Sequence, residues 1–244
     1  MIGKYKKGHT YSYSLGTELT LELLLRHPQQ VREVYVSSKQ INNPVYERIV
    51  SLCRQNGIPM IQSDKAFNVL SDKGNCYIIG VFDLYEDPIR EGKKHVVLVN
   101  PSNQGNLGTI IRTAVGFGIN DIAIITPAVD LYDPKTIRAS MGSFFECHFS
   151  LYPSFDDYLK QHGEREIYPF MLDGKINLDE AKHGEVYSLV FGNEATGLSD
   201  DYQKYGTSVI IRHHDTIDSL NLCNAVSFAL YEFTKGSVGS DFEY

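Results

Sequence analysis

Residues 95–126 read HVVLVNPSNQGNLGTIIRTAVGFGINDIAIIT and contain the pattern that decides the fold. The apolar run from His95 to Asn100 predicts a strand that is buried on both faces, and Asp121 to Thr126 predicts a second such strand. Between them, a loop rich in Gly and Asn leads into a helix predicted over Leu107 to Phe117. This order makes a βαβ unit, whose strands are parallel and whose crossover is right-handed.

The rest of the chain extends this α/β pattern on both sides. Predicted helices cover residues 17–26, 43–55, 64–70, 134–140, 155–161 and 220–235. Predicted strands cover residues 31–37, 58–62, 76–84, 167–172, 187–192 and 207–212. Residues 85–94, YEDPIREGKK, are polar and hold both Pro and Gly, so they are predicted to link two domains. We therefore expect a smaller α/β domain over residues 1–86 and a parallel-sheet domain over residues 92–244.

Composition is that of an ordinary globular protein, with 42% hydrophobic and 22% charged residues in a chain of 244. The net charge of -7 argues at first against a nucleic-acid partner, which favours a basic surface. Its distribution is uneven, because residues 1–82 carry ten Lys and Arg against six Asp and Glu, whereas the remainder carries thirteen against twenty-four. A mildly basic first part is suited to contact a polyanion while the acidic part does something else.

Neither a membrane segment nor a metal site is expected. No apolar run reaches about 18 residues, so we predict a cytoplasmic protein with no membrane partner. Cys53, Cys76, Cys147 and Cys223 are scattered singly, which is typical of reduced thiols. The adjacent His213 and His214 are a weak pattern for a metal ligand pair.

The loop and helix at residues 103–114, NQGNLGTIIRTA, form the first candidate site. Gly105 and Gly108 allow the backbone to approach a ligand, and Arg112 lies where it can clamp a phosphate. The stretch also reads as a tight turn followed by a surface arginine. It contains neither GxGxxG nor GxxxxGK[ST], so it does not predict a common nucleotide site.

Two later stretches are also candidates because polar residues follow predicted strands, where open α/β sheets bind ligands. Residues 191–201 place Glu194 between two glycines, although a solvated loop carboxylate is the commoner case. Residues 211–233 run from a polar loop into an apolar helix, in which Ser219 reads as an N-cap and Asn221 as an early helical residue.

Taken together, N-x-G-x(3)-R-x-A at residues 106–114, F-G-x-E-x-x-G-L at 191–198 and I-x(7)-S-L-N at 211–221 resemble the motifs of the SpoU/TrmH family. That family, within the SPOUT superfamily, comprises ribose 2'-O-methyltransferases of RNA. The resemblance implies a C-terminal parallel-sheet SPOUT domain with a trefoil knot. The first 84 residues resemble the small L30e-like α/β domain that often precedes it and binds the RNA substrate.

The resemblance also implies the site, the cofactor and the partners. S-adenosyl-L-methionine would be held by the backbone of Gly192, Ile211 and Leu220. Catalytic roles would fall to Arg112, Asn106, Glu194, Ser219 and Asn221. A guanidinium is a reluctant proton acceptor, so we expect Arg112 to gather the RNA phosphate and stabilise developing oxyanion charge, fixed by Asn106 and Glu194. The substrate would be RNA, ribosomal in preference to transfer RNA, and the protein would form a homodimer.

Departures from the family pattern concentrate in the third motif. Arg212 and His213 stand where the family commonly has Pro and Met, Asp215 where glycine is usual, and Cys223 where serine is usual. These changes bear on substrate specificity more than on cofactor binding. Two alternatives stay open: a catalytically inactive L30e/SPOUT RNA-binding protein, and a SPOUT enzyme that methylates a base.

Overall fold

A computed structural model describes residues 3–70 and 75–236. The outermost parts of both predicted domains, residues 1–2 and 237–244, therefore lie outside the described residues. The chain divides into two compact units: Met1–Glu86 with Asp130–Glu146, and Asp87–Val129 with Cys147–Tyr244. The first division falls within the predicted linker, but Asp130–Glu146, which the sequence pattern assigns to the second domain, belongs to the first unit.

The described residues contain eleven strands and seven α-helices. The strands are β1 (Tyr11–Leu15), β2 (Val31–Val36), β3 (Met60–Gln62), β4 (Ile78–Asp83), β5 (His95–Val99), β6 (Asp121–Ile125), β7 (His148–Tyr152), β8 (Glu166–Pro169), β9 (Ile176–Asn177), β10 (Tyr187–Phe191) and β11 (Val209–Ile210). The helices are α1 (Thr17–Arg26), α2 (Pro44–Gln55), α3 (Asp64–Leu70), α4 (Gln104–Gly116), α5 (Pro134–Ala139), α6 (Phe155–His162) and α7 (Leu222–Thr234). None of the described helices is both long and apolar enough to span a membrane.

The first unit is built on a four-stranded sheet of order β1-β4-β2-β3. β4 pairs antiparallel with β1 and β2, and β2 pairs parallel with β3. The edge strand β1 was not predicted, because its alternating tyrosines and serines follow a basic leader. Asp130–Glu146 packs in this unit through buried aromatic side chains, with the Phe82 and Phe145 rings 5.5 Å apart, which explains why the segment departs from the predicted domain.

The second unit contains a five-stranded sheet of order β7-β6-β5-β10-β8, and every pairing in it is parallel. This confirms the predicted α/β fold with a parallel sheet. All five residues of β5, β6 and β10 are buried, as continuous apolar strands in the middle of a covered sheet should be. β7 was not predicted from the sequence.

The prediction that residues 207–212 form a strand of this sheet is wrong. Only β11 is extended there, and it pairs with β9 in a separate two-stranded sheet. Beside β8, Thr207 N–H donates to the Ile167 carbonyl, Met171 N–H donates to the Val209 carbonyl, and Val209 forms one isolated parallel bridge with Phe170. The segment therefore touches the edge of the five-stranded sheet without adding a sixth strand to it.

Asparagine caps set the starts of the two helices that border the site. α4 begins three residues before the predicted Leu107, because the Asn103 side chain accepts a hydrogen bond from Asn106 N–H at 3.0 Å. α7 begins two residues later than predicted, because the cap is Asn221, whose side chain accepts from Cys223 N–H at 2.9 Å. Ser219 therefore does not cap this helix.

Most of the predicted linker, residues 87–94, is part of the second unit. Arg90 donates from its backbone N–H and its guanidinium to Asp121, with an Nη2 to Oδ2 distance of 2.7 Å. Ile89 is buried in the core of the unit. Asp121 is itself almost fully buried, and although burial raises the pKa of its carboxyl, the hydrogen bonds from Arg90 lower that pKa overall.

Candidate active site

The first two motifs meet at the carboxyl ends of the neighbouring strands β5 and β10. The Asn193 amide donates to the Asn100 carbonyl at 2.7 Å, which joins the loops that leave the two strands. Asn100 has a φ of 51°, in the left-handed region that few residues other than glycine adopt. Residues 100–106 and 191–198 therefore share one end of the sheet, where α/β proteins bind ligands.

Glu194 connects its own loop to the start of α4. Its Oε2 accepts hydrogen bonds from Ser102 N–H at 3.0 Å and from the Ser102 hydroxyl at 2.7 Å. Its Oε1 accepts from Asn103 N–H at 3.1 Å and from the Asn106 amide at 3.3 Å. Burial raises the pKa of Glu194, but the hydrogen bonds from Ser102 and Asn106 outweigh it, so the pKa is lowered overall. The side chain is thus an ionised carboxylate at the positive end of a helix.

A cavity of about 580 Å³ lies beside this cluster and brings in the third motif. Five of the predicted site residues line it: Gly192, Glu194, Ile211, Ser219 and Leu220. Apolar side chains supply much of the rest of the wall, among them Phe170, Leu198, Leu222 and Ala225. The two later motifs, which lie in separate stretches of the chain, therefore enclose one space.

Glycine is required at position 192 because the loop returns against it. A Cβ atom built there would lie 2.1 Å from the Gly197 carbonyl carbon and 2.4 Å from the Leu198 nitrogen. Gly197 itself has a φ of +66°, and its N–H donates to the Asn193 carbonyl at 2.9 Å. The glycines of the second motif thus close a tight loop that forms one wall of the cavity.

Asn106, Arg112 and Asn221 do not line the cavity. Arg112 is exposed on α4, and its side chain has no hydrogen bond or ion pair with any described residue. The expectation that Asn106 and Glu194 fix Arg112 is therefore not met within the chain. The reason is geometric, since positions six apart on a helix point about 120° away from each other, and Asn106 is the one that faces Glu194.

Cys223 joins the two helices that border the site. Its thiol donates to the Asn106 carbonyl at 3.6 Å, across from α7 to α4. Burial, together with the nearby Glu194 carboxylate, raises the pKa of the thiol, so it stays protonated at neutral pH. The other three cysteines are buried.

Sequence reasoning missed Ser102, Asn103, Asn193 and His213 as members of the site. Asn103 carried a usable signal, since asparagine before a helix is a preferred cap. His213 lines the cavity, and its Nδ1–H donates to the Ile211 carbonyl at 3.0 Å. Within the described residues, no three His, Cys, Asp or Glu side chains are grouped to hold a metal ion.

A second cavity, of about 660 Å³, shares the side chains of Ile211, His213 and Leu220 with the first. Its other wall includes Phe228 and Tyr231 of α7, which are 52% and 60% exposed. These two rings form an apolar face of α7 that nothing in the described chain covers fully.

Comparison with known proteins agrees with this arrangement. A 23S rRNA (uridine(2479)-2'-O)-methyltransferase from Streptomyces viridochromogenes is 32% identical over 164 residues, which cover 63% of this chain and 56% of that enzyme. The 23S rRNA (guanosine(2553)-2'-O)-methyltransferase RlmP from Bacillus subtilis (strain 168) is 25% identical over 234 residues, which cover 93% of this chain and 90% of the relative.

The fold is also that of a solved structure, an AdoMet-bound rRNA methyltransferase from Sinorhizobium meliloti. The two share 22% sequence identity with a TM-score of 0.81, over 94% of this chain and 89% of that one. The model of the SpoU rRNA Methylase family matches residues 93–231, more than half of the sequence. The three motifs, the parallel sheet and this match lead to one conclusion: the chain belongs to the SpoU rRNA methylase family.

Proposed function

We propose that this protein transfers a methyl group from S-adenosyl-L-methionine to a ribose 2'-hydroxyl in structured RNA, ribosomal in preference to transfer RNA. The observation that carries the proposal is the convergence of the second and third motifs on one cavity, with the first motif tied to its edge through Glu194 and Asn106. Family membership and two relatives named as 23S rRNA 2'-O-methyltransferases support the choice of reaction and substrate.

The cavity suits this cofactor. Its volume of about 580 Å³ falls within the usual range for small-molecule sites, roughly 300 to 1,000 Å³. Leu198, Leu220 and Leu222 offer an apolar wall for an adenine ring, and the backbone of Gly192, Ile211 and Leu220 would supply the hydrogen bonds. When bound, S-adenosylmethionine supplies an electrophilic methyl group on a sulfonium.

Arg112 would bind the RNA. Its guanidinium is exposed and unpaired within the described chain, so it is free to take a phosphate in a bidentate contact. From there it would stabilise the negative charge that develops on the attacking oxygen. Glu194 and Asn106 would hold the start of α4 in place, and Ser219 and Asn221 would contact the ribose.

The quaternary and cellular setting follows the family. The apolar face formed by Phe228 and Tyr231 is suited to pair with a second copy of the chain, so we propose a homodimer. The first domain, residues 1–86, would bind the RNA substrate, and the exposed Lys6 and Lys7 of its leader would contact phosphate. A cytoplasmic location, an L30e-like character for this domain and a knotted C-terminal path stay predictions.

The test is to map ribose methylation by mass spectrometry in RNA from cells with and without the protein. One position should lose its 2'-O-methyl group in the deletion strain and regain it with the wild-type gene. Arg112→Ala should fail to restore it, while the purified variant binds S-adenosylmethionine as the wild type does. Restoration by Arg112→Ala would refute its role.

The two alternatives give different results in the same material. An inactive RNA-binding scaffold would not bind S-adenosylmethionine in calorimetry. A base methyltransferase would leave the RNA sensitive to alkali at the modified position, whereas a 2'-O-methyl group blocks cleavage there.

A further inference from the structure

The cavity proposed for the cofactor is lined by carboxylates from separate loops. Asp173 follows β8, Asp200 follows the loop after β10, and Asp218 precedes α7. Glu194 is a fourth, already held by its hydrogen bonds. The described lining residues include no lysine or arginine, and His213 is the one histidine among them.

The aspartates have little within the described chain to neutralise them. Asp173 accepts one hydrogen bond, from the neutral Gln203 amide at 2.5 Å. Asp200 and Asp218 are exposed and have no ion-pair partner among the described residues. The cavity lining therefore carries a net negative charge, which attracts cations.

We propose that Asp173, Asp200 and Asp218 make the cavity select a cationic methyl donor over its neutral demethylated product. This inference rests on the proposed function. S-adenosylmethionine carries a sulfonium, an ammonium and a carboxylate, for a net charge of about +1, whereas S-adenosylhomocysteine has a neutral thioether and a net charge of about 0. An acidic cavity attracts the first more strongly than the second.

Methyl transfer itself changes this charge. A bond forms between the ribose 2'-oxygen and the methyl carbon, and the bond between that carbon and sulfur breaks. Its electron pair stays on sulfur, and the hydroxyl proton passes to solvent. The ligand in the cavity thus changes from a cation to a neutral molecule. Its electrostatic attraction to the aspartates weakens at the step before product release. This gives a use to the acidic second domain of an enzyme whose substrate is a polyanion.

The experiment is isothermal titration calorimetry on the full chain with three ligands. S-adenosylmethionine and sinefungin are cations, and S-adenosylhomocysteine is neutral. Both cations should bind more tightly than the neutral ligand. The affinity ratio, which is the dissociation constant of S-adenosylhomocysteine divided by that of S-adenosylmethionine, should fall by about 1.5- to 5-fold in each of Asp173→Asn, Asp200→Asn and Asp218→Asn, as expected for exposed charge pairs. Added salt should lower this ratio as well.

Asp201→Asn and Asp215→Asn are matched controls. Both remove one exposed carboxylate from the same unit without touching the cavity lining, so the ratio should stay at the wild-type value. The inference is overturned if the three lining variants leave the ratio unchanged, if the controls narrow it equally, or if sinefungin binds as weakly as S-adenosylhomocysteine. Failure of all three ligands to bind would instead refute the proposed function.

Discussion

His95 makes the second unit sensitive to acid. It begins β5 and is 0% exposed, with Nδ1 2.9 Å from the Tyr158 hydroxyl and Nε2 2.9 Å from the Arg90 carbonyl. The Arg165 guanidinium lies 2.7 Å from Nδ1. Burial, and then the charge of Arg165, lower the pKa of His95 from 6.5 to about 4. The imidazole is therefore neutral in the folded protein well below neutral pH.

The sign of the effect follows from proton binding. The unfolded chain binds a proton at His95 more strongly than the folded chain, so this residue's share of the stability is present above about pH 6.5 and is lost as pH falls toward 4. Between pH 7 and pH 5, a folded pKa of about 4 and an unfolded pKa of about 6.5 give a loss of about 2 kcal/mol from His95. His95→Gln removes the titrating group, so the variant should lose about 2 kcal/mol less stability than the wild type over this range.

Urea unfolding followed by far-UV circular dichroism at pH 7, 6 and 5 measures the difference, since the chain has no tryptophan for fluorescence. His214→Gln is the control for replacing a histidine outside the core, because that side chain is 79% exposed. The pKa of His162 is also lowered, chiefly by burial, but His162 is present in both proteins and cancels in the comparison. Equal losses in His95→Gln and the wild type would refute the reasoning.

Three further predictions concern the site and its support. Glu194→Gln should cost about 1 kcal/mol of stability at pH 7 in urea unfolding, because an amide NH₂ then faces backbone N–H donors. Since the pKa of Glu194 is lowered, the stability that its carboxylate contributes is lost as pH falls through that pKa, and a difference between variant and wild type that stays constant as the pH is lowered would contradict this account. Gly192→Ala should weaken S-adenosylmethionine binding at least about 10-fold in calorimetry, because the added Cβ would collide with backbone atoms of the returning loop. Gly116→Ala is the control, since nothing lies within 4 Å of a Cβ at that position and the variant should bind normally. Equal affinities in the two variants would contradict the steric role of Gly192. Asp121→Asn should lower the free energy of unfolding by about 2 kcal/mol or more, because the buried carboxylate pairs with Arg90; a loss under about 0.5 kcal/mol in thermal unfolding would show that the pair is dispensable.

The parallel sheet could be predicted because its central strands have a clear sequence pattern. β5, β6 and β10 are continuous apolar runs, and such runs are buried on both faces in a sheet covered by helices. β7, HFSLY, escaped prediction because it lies at the sheet edge, where Ser150 and Leu151 are not buried and the apolar run is broken. Edge strands carry a weaker pattern because half of their surroundings is solvent.

The sequence indicated part of the site's membership but not the contacts within it. Gly192, Glu194 and Leu220, which the motifs single out, line one cavity. The motifs did not indicate that Glu194 would contact Ser102 and the start of α4 instead of Arg112. A motif gives residue types and spacing, whereas the partner of a carboxylate depends on which donors the folded loops present to it.

The membership of Asp130–Glu146 in the first unit means that the polypeptide crosses between its two units three times. Neither unit is one continuous segment of the chain. A fragment ending near residue 86 would therefore lack the buried Phe144 and Phe145, and a fragment without the first 82 residues would leave those aromatic side chains exposed to water. During synthesis the first unit cannot be completed until residue 146 has emerged, by which point two strands of the other sheet, β5 and β6, have already been made. The two units should therefore be expressed and engineered together, as one polypeptide.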